Sequence, residues 1–167
     1  FNSYDFENVF DQFDIKKNEL NLYDYQIKLI ALINLNKLSL ANDIALKILE
    51  KDPDNQEALI VNFVYLLSKN ETSKINIYLN NNRKNINELI DFIFLKNNEL
   101  KSIGEISNSF IEIVKASFAN FPSSNEITYN LLIFYLSMSI ILNSENNEAW
   151  FLTGQLYQMI EEYEKVE

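Results

Sequence analysis

The chain has 167 residues, 47% of them hydrophobic, with two Gly, two Pro, no His, no Cys and a formal net charge of −10. That apolar content supports a packed core. The missing His and Cys exclude thiol nucleophiles, imidazole bases, Ser-His-Asp triads and Cys/His zinc sites within the chain. The acidic balance lacks the positive footprint that nucleic acid or an anionic membrane surface requires, so neither is expected as a partner.

Scarce Gly and Pro point to long helices and away from a sheet protein with many tight turns. Asn2–Phe13 places Phe6, Val9, Phe10 and Phe13 at helical spacing behind Ser3, which predicts a short helix closing the N-terminal end. Asn21 and Asp24 form a capping-box variant that opens a helix over 22–35, with Tyr25, Leu29, Leu32 and Ile33 on its buried side. After a break at Asn36-Lys37, Ser39 is the expected cap of a helix whose Ala41, Ile44, Ala45, Ile48 and Leu49 follow the i, i+3, i+4, i+7, i+8 pattern. Asp52-Pro53-Asp54-Asn55 ends it.

Asp54 and Glu57 read as a second box ahead of Ala58–Leu67, with Ala58, Leu59, Phe63 and Leu66 as its stripe. Its partner is poorer, with Ile75, Tyr78 and Leu79 before Asn80-Asn81-Asn82. Ile86, Leu89, Ile90, Ile93 and Phe94 read as a helix and Lys96–Ser102 as a polar break. Ile103, Ile106, Phe110, Ile113, Val114 and Phe118 then form a helix stopped by Phe121-Pro122. Ser123 and Glu126 open the next, with Leu131, Phe134, Tyr135, Met138, Ile141 and Leu142. The longest apolar run, Leu131–Leu142, is too short to span a bilayer. The last stretch has a polar turn, Asn143-Ser144-Glu145-Asn146, and a helix with Ala149, Trp150, Leu152, Leu156, Tyr157 and Ile160. A further turn is expected at Glu161-Glu162 before Tyr163, Lys165 and Val166. Gly154 inside that helix costs roughly 1 kcal/mol against Ala, so close approach of a neighbouring helix is the expected reason for it.

Trp150, Gly154 and Tyr157 share one helix face. Together with Tyr163 and the small apolar residue after it, this order resembles the tetratricopeptide repeat. Tyr25–Asn55 resembles it as well: Ala41 stands at the small residue opening the second helix and Asp52-Pro53 at the terminal turn. The departure is Leu29, where the family has Gly or Ala. The resemblance implies an all-α fold, an α-solenoid of antiparallel helix hairpins with about 8–10 helices. The expected divisions are a repeat at 22–55, a degenerate repeat at 56–82, an inserted helix or loop at 83–102, a helix pair at 103–142 and a truncated repeat at 147–167. Pro53 and Ser144 hold the same place in their turns but lie 91 residues apart, where two units of about 34 residues would give about 68. The surplus is the inserted helix.

The family's binding surface is the concave face lined by the first helix of each pair. The resemblance therefore places Glu148, Phe151, Leu152, Gln155 and Gln158 toward that groove, with Glu57, Ile60, Val61 and Val64 in the second unit and Gln26, Ile30 and Ile33 in the first. The alternative for the aliphatic members is plain core between stacked helices. The basic clamp with which one branch of the family captures C-terminal carboxylates is absent. The groove suits an amphipathic helix, an extended apolar segment or a basic peptide. Asp52/Asp54, Glu145/Glu148 and Glu161/Glu162 are the candidate paired carboxylates for catalysis or metal binding. Each stands at a helix end, where acids cap or solubilise. Asp52–Asn55 lacks the central Gly of a calcium loop, and the Asn70-Glu71-Thr72 sequon is common by chance in an Asn-rich chain. Arg83-Lys84, a compact basic pair flanked by Asn, reads as a solvated loop.

The expectation is a non-catalytic protein–protein interaction scaffold without cofactor or metal. The alternatives are a structural subunit that assembles a complex through its ends and a non-catalytic domain of a larger enzyme. Phe1 is not Met and Asn2-Ser3-Tyr4 opens no signal peptide. A removed leader or a piece of a longer chain is therefore expected, as is self-association or continuation where the last helix would expose Trp150, Leu156 and Tyr157. The compartment stays open, with the cytoplasm as default and export as the alternative.

Overall fold

The computed structural model describes residues 21–82, 86–120 and 126–164. The expected helix in Asn2–Phe13, the Ser123 cap and the Arg83-Lys84 pair lie outside these residues. Eight helices account for about four-fifths of the described chain: α1 Leu22–Asn34, α2 Leu38–Lys51, α3 Gln56–Ser68, α4 Thr72–Asn81, α5 Glu88–Phe94, α6 Ile103–Asn120, α7 Glu126–Leu142 and α8 Asn147–Glu164. Between α5 and α6 lie two short antiparallel strands, β1 Leu95–Lys96 and β2 Glu99–Leu100. The fold class is all-α. The chain divides into two compact units, the break falling inside α3 between Asn62 and Phe63.

In the first unit, α1 opens on the expected box. The Asp24 amide donates to Asn21 Oδ1 at 2.9 Å and the Asn21 amide donates to Asp24 Oδ2 at 3.1 Å. Leu29, Ala31, Leu32 and Ile33 of α1 are buried, as are Ala41, Ile44, Ala45 and Ile48 of α2, and the two helices pack together. Their link is a tight C-terminal turn with Asn36 in the left-handed region, φ 56°. The Asn36 amide donates to the Ile33 carbonyl and the Lys37 amide to the Leu32 carbonyl, each at 2.8 Å. That closure delivers Lys37 as the entry residue of α2, so the helix starts at Leu38 and Ser39 is not its cap.

Left-handed residues recur at Asn70 (φ 58°), Asn97 (φ 53°) and Asn98 (φ 64°), so all four non-glycine positive-φ residues among those described are Asn. Asn tolerates this region because its short amide bonds locally. Asn70 ends α3 as Asn36 ends α1, with the Glu71 amide reaching the Leu66 carbonyl at 2.9 Å. Asn97-Asn98 forms the two-residue turn of a hairpin that pairs Leu95 with Leu100 and Lys96 with Glu99. The expected polar break is therefore an ordered hairpin.

The second unit is built along a run of aromatic rings. Phe63 meets Tyr78 edge-on at 5.3 Å and Phe94 at 5.1 Å. Phe94 meets Phe110 at 6.4 Å, Phe110 stacks on Tyr135 at 6.2 Å, and Phe134 meets Tyr135 at 5.5 Å. The run ties α3, α4, α5, α6 and α7 into one core, with Phe63, Phe94, Phe110 and Phe134 at most 1% exposed. Beside it, Ser107 Oγ lies 2.9 Å from Ser139 Oγ and donates to the Ser139 carbonyl at 3.1 Å, a fully buried polar link between α6 and α7.

The hairpin is clipped to α6 by charge. Glu105 accepts from Lys96 Nζ at 2.8 Å, from Ser102 Oγ at 2.8 Å and from the Ser102 amide at 3.1 Å, and its own amide donates to Ser102 Oγ at 3.3 Å, the two backbone bonds making a capping box. Lys101 donates to the Phe92 carbonyl and to Ser109 Oγ, and lies over the Phe92 ring. Its pKa is lowered, chiefly by desolvation.

Phe94→Ala removes two edge contacts from the middle of the ring run and should cost about 3–5 kcal/mol in urea unfolding. Phe92→Ala, half-exposed at 48%, serves as the control and should cost far less. The Lys96 and Ser102 bonds hold the Glu105 carboxyl down to about 2 from its usual 4.5. A depressed acid stabilises the fold above its unfolded pKa and loses that stabilisation as pH falls through the folded one. The Glu105 share should thus vanish between about pH 4.5 and 2. Glu105→Gln should flatten the stability–pH curve over that window, and a Glu105 carbon-13 titration midpoint near 4.5 would contradict the assignment.

Candidate functional site

The α8 helix opens at a turn that repeats the one opening α3. Asn55 accepts from the Ala58 amide at 3.1 Å, and Asn146 accepts from the Ala149 amide at 3.3 Å. The Asn55 amide donates to the Asp52 carbonyl at 3.2 Å, and the Asn146 amide to the Asn143 carbonyl at 3.1 Å. The two caps stand 91 residues apart, as Pro53 and Ser144 do. The cap of α3 is therefore Asn55, not Asp54, because Asn55 is the residue whose side chain faces the Ala58 amide. Asn146 also donates to Ser107 Oγ at 3.4 Å and Asn108 Oδ1 at 3.3 Å, which ties the start of α8 to α6.

The same shift pairs Glu57 with Glu148, Ile60 with Phe151, Val64 with Gln155 and Leu67 with Gln158. Ile60 and Val64 are fully buried, Leu67 is 2% exposed and Glu57 is half-buried. Val61 and Ile33 are buried as well. At Ile60, Val64 and Leu67 this α3 face is thus core. On α8 the matching residues are all exposed, Phe151 at 64%. An aliphatic face has become one of an aromatic ring and two amides.

Glu148, Phe151, Gln155 and Gln158 follow one another three and four residues apart, so they share one side of α8. That side looks toward α6 at both ends. At one, Lys115 of α6 lies 2.5 Å from Glu148 and 3.3 Å from Glu112. The ammonium is raised above its usual 10.5, first by the bond to Glu148 and then by that to Glu112. At the other end, Phe118 of α6 with Gln155, Gln158 and Met159 of α8 lines an open groove of about 340 Å³. That is at the low end for small-molecule sites and suits a side chain or two better than an enclosed cofactor. Gln155 and Gln158 are brought together there; Ile60, Val64 and Glu57 take no part in it. Phe118 was readable in the sequence only as a stripe residue and Met159 lay outside the apolar stripe read for its helix; their place at the groove follows from the approach of α6 and α8.

Three expectations for α8 do not hold. A Cβ built on Gly154 would meet nothing within 4 Å, and the residue is exposed, so no neighbouring helix crosses there. Trp150, Gly154 and Tyr157 form a solvent-facing side, with Trp150 at 53% and Tyr157 at 42% exposure, and Trp150 Nε1 donates to the Ser144 carbonyl at 2.9 Å. Buried contacts come instead from Ala149, Leu152 and Leu156, so Leu156 is not exposed with Trp150 and Tyr157 as expected, because it turns to the side of α8 packed on α7. The turn at Glu161-Glu162 is also absent: α8 runs on to Glu164, since Met159–Glu164 contains no helix breaker.

Among the described residues, no group of three or more acidic, His or Cys side chains could hold a metal ion, and no helix is long and apolar enough to cross a membrane. The molecule belongs to the class of all-α proteins. Comparison with protein-family models, with curated proteins and with solved structures returned no match to this chain.

Gly154 is a helical residue in open space, so Gly154→Ala should stabilise the chain by about 0.5–1 kcal/mol. A lower thermal midpoint for this variant would contradict the exposed placement.

Proposed function

We propose that this chain is a non-catalytic protein–protein interaction module, a tetratricopeptide-like α-solenoid that captures a partner segment along the paired faces of α6 and α8. In this reading α6 and α8 are the first helices of successive hairpins, with α7 between them packing on both. The observation that carries it is the contrast between two equivalent helix faces. Where α3 has buried aliphatics, α8 has an exposed Phe151 beside two exposed amides and an open groove. Exposed aromatic side chains flanked by groups that both donate and accept are what partner anchors are made of.

A second reading, a structural subunit that stacks on a neighbour, draws support from Trp150 and Tyr157 on the adjacent side of α8. The two readings separate by variant. Phe151→Ser with Gln155→Ala should reduce partner recovery in affinity capture by about tenfold, which is about 1.4 kcal/mol. Circular dichroism should be unchanged, because both side chains are exposed. Trp150→Ala should leave that recovery intact. Loss of assembly on Trp150→Ala, with the Phe151/Gln155 variant unaffected, would favour the stacking subunit and overturn capture at α6 and α8.

A further inference from the structure

Resting on that reading of the α6 and α8 face, we infer that its occupant is a cationic amphipathic segment of a partner protein. One apolar side chain of the segment seats between Phe118 and Met159, and Lys or Arg residues lie toward Glu112 and Glu148. The charges at this face select the sign. Lys115 of α6 contacts this face, and it is engaged by two carboxylates. The three groups leave one negative charge at the rim. Within Asn147–Glu164 the sequence has Glu148, Glu161, Glu162 and Glu164 and no Lys or Arg. The chain around it carries −10, so the field that steers an approaching segment is negative and extends beyond the contact pairs.

The same charges disfavour the other occupants. A second copy of this chain would bring another −10 to the face, with Glu148 and Glu112 opposed to themselves. An anionic lipid surface meets the same repulsion. A wholly apolar segment would strip water from the exposed Gln155 amide without returning hydrogen bonds. An amphipathic segment answers each feature. Its apolar side chain fills the groove, where flexible Met159 can adapt to shape. Its cations meet the carboxylates or lie over the exposed Phe151 ring, and its polar atoms exchange hydrogen bonds with the exposed Gln155 amide.

The probes are two synthetic amphipathic helical peptides, one of Leu and Lys and one of Leu and Glu with the same pattern, titrated by calorimetry against the full chain. The Leu/Lys peptide should bind at least about tenfold more tightly at low salt, and should lose most of that advantage at about 1 M salt, where the screening length falls to about 3 Å. Glu148→Lys should weaken it by about tenfold, while Glu50→Lys, the same charge change at an exposed residue of α2, should barely alter it. Equal weakening by Glu148→Lys and Glu50→Lys would show diffuse attraction and overturn the inference. Equal binding of both peptides, weakened for both by Phe151→Ser, would overturn the cationic preference while leaving the docking face standing. Binding of neither peptide, or binding unaffected by Phe151→Ser, would overturn the inference at this face.

Discussion

The second unit depends on aromatic edge contacts. Helices as short as α4 and α5 have little intrinsic stability in water, because nucleation costs more than a turn or two returns. α4 buries only Ile75 and Leu79. These segments stay helical because Tyr78 and Phe94 insert into a run of rings that extends to the center of α6 and α7. Rings that meet edge to face add about 0.5–1.5 kcal/mol beyond the area they bury, and they fix orientation as well as distance. With α6 and α7 held in this way, the buried Ser107–Ser139 link and the Asn146 bonds to α6 set where α8 begins. The position of the exposed α8 face is thus a consequence of packing some distance away from it.

Asn does in this chain what Gly does in most. Turns after α1 and α3 and the hairpin between α5 and α6 all place Asn at positive φ, and Asn55 and Asn146 cap α3 and α8. One residue type serves both ends of helices because its amide can accept from an exposed backbone N–H and its backbone can enter the left-handed region. The heavy use of Asn therefore has a structural account at these positions. The short link of α1 to α2 and the register of the hairpin rest on it.

The face of α8 that looks toward α6 differs from its counterpart on α3 in chemistry as well as exposure. Substituting Ile60, Val64 and Leu67 by Phe151, Gln155 and Gln158 changes what the face can bury without penalty: a wet, partly polar surface in place of a dry one. The Glu112–Lys115–Glu148 group adds a screened, solvent-facing electrostatic rim that contributes little to folding and more to the sign of what can approach.

Local pattern alone determined most of the helices. The 3.6-residue stripes of α1, α2, α3, α6 and α7 and the Asn21–Asp24 box could be read without coordinates, because each depends on residues within one or two turns. The Ser102–Glu105 box and the Asn97-Asn98 turn were equally local and carried their signal in plain view, between stripes that drew attention from them. At Glu148, Phe151, Gln155 and Gln158 the spacing put four residues on one side, but spacing is identical for a buried face and an open one. Tertiary structure decided that Ile60 and Val64 are core while Phe151 is exposed, that Gly154 touches nothing, and that Phe118 and Met159 join the two glutamines at a groove. Exposure is a property of what other segments cover, and no window of sequence contains that.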